Sequence, residues 1–518
     1  MAAQLATALQ RHGVDATETS GHASRSALVW AALILSLEPD VDTQPAHINR
    51  LDWTGTFFWG ESVGFVRRQL EHSFTRLEPG QAALAAHLIL CGRAPHLLVR
   101  DIPDSLPYLA TQTWTLFQQY ATYLEDRMPG AARQFSYAEI MYMAHLPPAG
   151  KWGRFLQGPL TAPAIQMWAV TNGLLQRQQR YSVEQTNAAI AALNALRARL
   201  HAATAAFAAP IPARRDIALQ ALKKTFPQTS MLDELVLMRV AQDADMSEDR
   251  GADNVPPDAR YSFIDLYMAN QLDVTAQHWH SADPRIKYHE LAPRFDQLTA
   301  FHSVFLQSFD DHLQRLQTAF VDYLLDALPG LTLPWREALE FGKVEFFALR
   351  YGTEPDAMFG LIVCASFYRD RHVYECFPRH LLMRARHDLE YDTLALAADS
   401  PDQDVSTLAL DWPAYASGVE PVEVNAVSHA PGVRIRRLDD VLPAVGTLPE
   451  ADADGHRIPR SLDSPRSRAV VKIIVERHYL QGAAKLKESA AQVQTLEQVS
   501  RDEDPWAEYL REVILATH

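Results

Sequence analysis

FDQLTAFHSVFLQSFDDHLQRLQTAFVDYLLDALPG, residues 295–330, is followed closely by EFGKVEFFALRYG, residues 340–352, and the change of period between them decides the fold. In the first stretch Phe295, Leu298, Phe301, Phe305, Phe309, Leu313, Leu316, Phe320, Leu324 and Leu328 recur every three or four residues. That spacing lays one continuous apolar stripe along an α-helix, which Pro329-Gly330 ends. An aromatic stripe of this kind is read as core against a partner helix, not as a cofactor box. After Gly342 the period becomes that of strands: residues 344–351, 358–368 and 372–377 are rich in Val, Ile, Phe and Tyr, with turns at Gly352 and at Arg369-Asp370-Arg371. The expected fold is mainly α with an appended antiparallel β-meander, an α+β chain with a multi-helix body and a small sheet after residue 340.

Upstream, Pro and Gly close each periodic segment as they do in helical proteins. Helices are expected over residues 79–91 and 108–128. Ser136 with Glu139 and Ser182 with Gln185 are capping boxes, and the second opens an Ala-rich helix to about residue 208. Downstream, residues 397–432 and 446–468 are rich in Pro, Asp and Ser and read as loops, before helices at 468–499 and from about 504. The expected organisation is an N-terminal segment (1–48), a helical body (49–340), a β-rich subdomain (341–445), a linker (446–468) and C-terminal helices (469–518).

At 518 residues the chain is long enough for several domains. Its 48 Lys and Arg against 63 Asp and Glu leave a net charge of −15, which argues against nucleic-acid binding. The basic group Arg434, Arg436 and Arg437 is followed at once by Asp439 and Asp440 and reads as a solvated strand face. Three cysteines, Cys91, Cys364 and Cys376, are too few to staple so long a chain. The apolar run at 27–37 is too short to span a bilayer, and no secretory signal opens the sequence.

Three constellations carry candidate chemistry. Gly60-Glu61-Ser62-Val63-Gly64 matches the G-x-S-x-G nucleophile elbow, with residues 54–59 as its strand and Phe65 onward as its helix. No parallel strands precede it to hold a strained serine, so Ser62 is a candidate nucleophile whose structural reading is a helix start with glycines. Cys364, His372, Cys376 and His380 have the ligand chemistry of structural zinc, but not the spacing of a zinc finger. His278, His280 and His289 form a third set, of a kind that 20 histidines produce by chance. Glu476-Arg477-His478 reads as a solvated helix face. No Walker loop, G-x-G-x-x-G or H-E-x-x-H is present. Neither a catalytic set nor a cofactor or metal site is therefore expected.

An ordered series of segments resembles the N-terminal domain of dermonecrotic-type bacterial toxins. It runs from Gly60-Glu61 through Arg67-Arg68-Gln69-Leu70-Glu71-His72 to Leu97-Leu98-Val99-Arg100-Asp101-Ile102-Pro103-Asp104-Ser105-Leu106, shortly before Trp114. It continues with Trp168-Ala169-Val170-Thr171-Asn172-Gly173, Tyr181-Ser182, the Ala-Leu-x-x-Leu-Lys pattern within residues 214–226, and Tyr261-Ser262-Phe263-Ile264-Asp265-Leu266-Tyr267-Met268. Glu340-Phe341-Gly342-Lys343-Val344 and Tyr374-Glu375-Cys376-Phe377-Pro378 complete it. The resemblance implies a toxin component without catalytic residues of its own, secreted or delivered into a host cell by a specialised system. It would serve in delivery, binding or scaffolding beside downstream toxin domains or on a host protein. The alternatives are a stand-alone effector hydrolase using Ser62 and a host-protein-binding effector.

Overall fold

The computed structural model describes residues 54–72, 94–145 except 129, 132, 133, 162–240 except 230, 259–452 except 401–404, 406, 407, then 455–483 and 494–500, with residues 86, 90 and 487. Side chains at 145, 146–161, 497 and 500 lie outside that description. The apolar run at 27–37 and the helix expected from about 504 also lie outside it, as does most of the one at 79–91, including Cys91.

In chain order the main elements begin with helices α1 (Val63–His72), α2 (Gln112–Arg127), α3 (Tyr137–His145), α4 (Ala162–Thr171), α5 (Val183–Phe207) and α6 (Arg214–Thr225). Strand β1 (Leu237–Arg239), helix α7 (Phe263–Met268), strand β2 (Trp279–Ser281) and helices α8 (Phe301–Ala327) and α9 (Leu333–Phe341) follow. Next come strands β3 (Lys343–Tyr351), β4 (Leu361–Phe367), β5 (Asp370–Phe377) and β6 (Leu382–Ala385). Helices α10 (Tyr391–Asp399) and α11 (Trp412–Ser417), strand β7 (Val433–Leu442) and helix α12 (Pro465–Lys472) complete the series. The class is mixed α+β, with helices dominant before residue 340 and an antiparallel sheet after it.

Two compact units emerge, each made of two pieces of sequence: residues 1–200 with 322–473, and residues 201–321 with 474–518. The division cuts across the boundaries expected near 340 and 468, because α5 and α8 each contribute to both units.

The first unit holds the sheet. Its strand order is β6-β5-β4-β3-β7, every pairing antiparallel. The expected meander supplies the middle three strands, while β7 returns from far along the chain to pair with β3, opposite a bulge between Glu345 and Phe347. Alternation along the strands presents two faces. Phe347, Ile362, Cys364, Val373 and Phe377 pack with Leu394, Ala414 and Tyr415 from α10 and α11. On the other face Tyr374 donates a hydrogen bond to the Trp335 carbonyl of α9 at 2.6 Å. A separate core gathers Trp59, Val63, Val66, Leu70, Tyr108, Trp114 and Phe117 around α1 and α2.

Local sequence accounts for many of the starts. Both capping boxes form: Glu139 accepts from the Ser136 N–H at 2.7 Å, and Gln185 from the Ser182 N–H at 2.9 Å. Helix α12 begins at Pro465, three residues before its expected start, because Ser464 accepts from the N–H groups of Arg466 and Ser467 at 3.0 Å each. Beyond it the chain winds as a π-helix, Ile473–Tyr479, which turns His478 inward to 2% exposure and so overturns the solvated reading of that residue.

Two loop expectations change. Residues 397–432 include α11 and a 3-10 turn, Val424–Ala426. The stretch expected as a linker is bound to α9 through buried polar groups. Glu337 accepts from the Arg457 N–H at 2.7 Å and pairs with His456 at 3.2 Å, and Arg336, 1% exposed, donates to the carbonyls of Thr171 at 2.8 Å and Pro459 at 3.2 Å.

The second unit is built on the aromatic stripe. Phe301, Phe305, Phe309, Leu316 and Phe320 are buried, and the rings meet partners edge-on: Tyr267 on Phe301, Phe207 and Tyr479 on Phe320. Helix α8 begins at Phe301, not at Phe295: Phe295 lies in a 3-10 turn, Ala292–Gln297, which Leu298 closes in an extended conformation (ψ 128°) before the helix starts.

Candidate functional site

The elbow residues occupy a turn that starts α1. Residues 54–59, expected as a strand, contain a 3-10 turn, Thr56–Phe58. Gly60 has φ +76° and donates its N–H to the Tyr108 carbonyl at 3.0 Å, while Ser62 pairs with Pro107 in an isolated bridge. The Ser62 Oγ accepts from the Phe65 N–H at 3.1 Å, an N-cap bond. The left-handed residue is Gly60 and the serine caps a helix; in a nucleophile elbow the strain falls on the serine itself.

Both glycines of the motif are explained by packing. A Cβ on Gly60 would lie 2.2 Å from the Leu331 carbonyl oxygen, and one on Gly64 3.0 Å from Asp104. Gly60→Ala therefore combines left-handed backbone with a backbone collision, and a loss of about 3 kcal/mol is expected, read as a lower denaturant midpoint of the purified chain. A midpoint unchanged from wild type would refute this account of the turn.

The zinc candidates do not converge. Cys364 stands opposite Glu345 and Val373 on the face covered by α10 and α11. Cys376 pairs with Leu361 and His372 with Ala365, positions that alternate to the other face. The His372 ring lies 4.5 Å from that of Trp335, and His380 Nε2 is 3.1 Å from the Gly418 carbonyl oxygen. Burial pushes both thiols well above their ordinary range, which leaves them protonated and weakly nucleophilic. In the third set, His278 Nδ1 lies 2.9 Å from Asp273, whose carboxylate also accepts from the N–H groups of Thr275, Gln277 and His278. Burial would raise the Asp273 pKa, but the Thr275 hydroxyl and these three N–H donors together hold it far below the usual carboxylate range. Among the described residues no three His, Cys, Asp or Glu side chains are placed to hold one ion.

The basic strand is neutralised within the fold. Arg436 pairs with Asp356, and Arg437 reaches Asp399 at 3.3 Å and Glu345 at 3.7 Å.

The polar centre that the tertiary structure does assemble lies on the sheet beneath α10 and α11. Glu375, fully buried on β5, faces Arg386 at 2.6 Å and Arg384 at 2.9 Å and accepts from the Tyr415 hydroxyl at 2.8 Å. Arg386 is also fully buried, and two bonds to Asp388, at 2.8 and 2.7 Å, share its charge with the solvent-side acid. These hydrogen bonds and the two carboxylates raise the Arg386 guanidinium further above its ordinary range, outweighing burial. On β3, Glu345 accepts from Tyr391 and pairs with Lys343 at 3.0 Å; those contacts, with Arg437, lower its pKa against the effect of burial.

Neither glutamate was singled out by motif. Their signal is a carboxylate inside an apolar strand, Lys343-Val344-Glu345-Phe346 and Val373-Tyr374-Glu375-Cys376, which demands a buried partner. Chemically the arrangement holds charge still: both oxygens of Glu375 are engaged by a cation or a hydroxyl, and the side chain is fully buried.

No protein-family model matches the chain, and comparison with curated proteins and with solved structures finds no match either.

Proposed function

We propose that the chain is a non-catalytic module of a secreted bacterial toxin or effector, serving in delivery, binding or scaffolding beside downstream toxin domains or on a host protein. The observation that carries this reading is the engagement of Ser62, whose Oγ is the N-cap of α1 in a turn strained at Gly60. The ordered resemblance to dermonecrotic-type toxin N-terminal domains supports it, as does a net charge of −15, which disfavours nucleic acid as a partner. No helix among the described residues is long and apolar enough to cross a membrane.

The competing reading, a hydrolase acting through Ser62, makes an opposite prediction for an active-site probe. Treatment with a fluorophosphonate is expected to leave the wild-type chain unlabelled, and Ser62→Ala to lower stability by about 1 kcal/mol through loss of a cap. Stoichiometric labelling that disappears in Ser62→Ala would replace the binding reading with the hydrolase. Reciprocal capture of a defined host protein, abolished by surface substitutions that leave folding intact, would favour the host-binding role over a delivery role.

A further inference from the structure

We infer that Tyr351 and Trp412, with the carboxylate of Glu354 beside them, form a binding site for a quaternary ammonium group, the trimethylammonium of choline or of a choline-bearing lipid headgroup. The site lies on the sheet-bearing unit, goes beyond the role proposed above and does not involve Ser62.

Two aromatic rings are held at the end of the sheet without being enclosed in it. Tyr351 closes β3 and stands opposite Val433 of β7. Its ring lies over Gly432, which has φ +81°; a Cβ there would come within 2.7 Å of the ring atom Cε2, so the bare glycine backbone is what admits the ring. The tyrosine is nonetheless 47% exposed. Trp412, the first residue of α11, is half-buried against the core beneath that helix. The two ring centroids are 6.2 Å apart and the planes are inclined at 39°. At that separation one cation can lie within about 6 Å of both centroids, the range over which a ring face attracts positive charge. Among the described residues no guanidinium is stacked on either ring, and neither the Tyr351 hydroxyl nor the Trp412 indole N–H makes a hydrogen bond.

The third component is charge. The Glu354 N–H donates to the Tyr351 carbonyl at 2.9 Å, across the turn that leaves β3, and so places Glu354 in the same turn as the ring. The residue is exposed, and among the described residues no cation pairs with its carboxylate. The next acid along the chain, Asp356, is by contrast taken up by Arg436. Two ring faces with an unspent carboxylate attract a cation and repel an anion. A lysine ammonium is strongly hydrated and gives up water to reach such faces; a quaternary ammonium has no N–H to satisfy and presents methyl groups that carry the positive charge onto the rings. Because Gly432 and the α11 core fix both rings beforehand, little ordering cost remains for binding.

Choline is the probe, and dimethylbutanol, the uncharged isostere in which carbon replaces the nitrogen, is the control. Each is titrated into the full chain by isothermal titration calorimetry. Saturable choline binding is expected with a Kd on the order of 1 mM, and dimethylbutanol is expected to bind at least about tenfold more weakly. Tyr351→Leu and Trp412→Leu are each expected to weaken choline binding roughly tenfold, Glu354→Gln about threefold, and Tyr351→Phe by less than about twofold. Trp412 packs on the core, so Tyr351→Leu, with the denaturant midpoint as the check on folding, carries the test where Trp412→Leu lowers stability. Phosphatidylcholine vesicles separate the two sources of the group. Sedimentation with the vesicles that free choline reverses assigns the lipid headgroup, and choline binding without sedimentation assigns a soluble ligand; the site stands in either case. No saturable choline binding, equal affinity for choline and dimethylbutanol, or undiminished affinity in folded Tyr351→Leu would overturn it.

Discussion

Glu375→Ala is expected to destabilise the sheet-bearing unit by about 3–5 kcal/mol, the cost of leaving a buried cation without its counter-charge. Arg386 is fully buried and sits 2.6 Å from Glu375, so alanine would leave its charge to Asp388 alone. Tyr415, also fully buried, would lose the acceptor of its hydroxyl at 2.8 Å. Glu375→Gln keeps the volume and an oxygen for Tyr415 but not the charge, and an intermediate loss is expected. Replacing Glu375 and Arg386 together by methionine removes both charges at similar volume, and part of the loss should return. Denaturant midpoints for the three variants decide the matter. If alanine and the methionine pair cost the same, packing around Glu375 matters and the ion pair does not.

Acid is expected to weaken the fold between about pH 6.5 and pH 4, through two histidines that are neutral when folded. His96 and His312 each have a buried Nε2 without a hydrogen-bond partner, and burial lowers the pKa of both from 6.5 to about 4. Arg315 adds to the lowering at His312. The unfolded chain takes up these protons first as pH falls through 6.5. The stabilisation is therefore complete above that value and declines until the folded groups also titrate near 4. At 1.36 kcal/mol per unit, each histidine withdraws roughly 3 kcal/mol over the window. Asp326 acts in the other sense: burial raises its pKa from 3.8 to about 6, so it favours the folded state more as pH falls through that range. One group opposes two, and net loss remains. Midpoints measured at pH 7.5 and pH 4.5 for wild type and for the pair His96→Phe and His312→Leu test this. The double variant is expected to lose clearly less stability on acidification; an identical loss would show that other groups set the acid response.

The helical elements were legible because their information is local. The stripe from Phe301 to Phe320, the capping boxes at Ser136 and Ser182 and the change of period at Gly342 each depend on residues within a few positions of one another. The strands of the meander were legible for the same reason, being joined by short turns. Strand β7 was readable as a strand from Val433-Arg434-Ile435-Arg436, but nothing local states that it pairs with β3. The zinc set failed on parity: Cys364 and Cys376 fall on strand positions that face opposite ways, a consequence of register across a hairpin that spacing alone does not reveal.

The sequence by itself determined the α+β class and the main helices and strands, since periodicity is a property of short segments, and it did not single out the carboxylates of Glu345 and Glu375. Only the tertiary structure decided which cations answer those carboxylates. Arg384 and Arg386 are brought to Glu375 by the pairing of β5 with β6, Tyr415 by the packing of α11, and Arg437 to Glu345 by β7. It also decided that Ser62 caps a helix and that Arg457 and Ser464, in the stretch expected as a linker, are bound to α9. The physical reason is common to these cases: a hydrogen bond or ion pair across a fold joins residues tens to hundreds of positions apart, and the composition of either segment leaves the partner open.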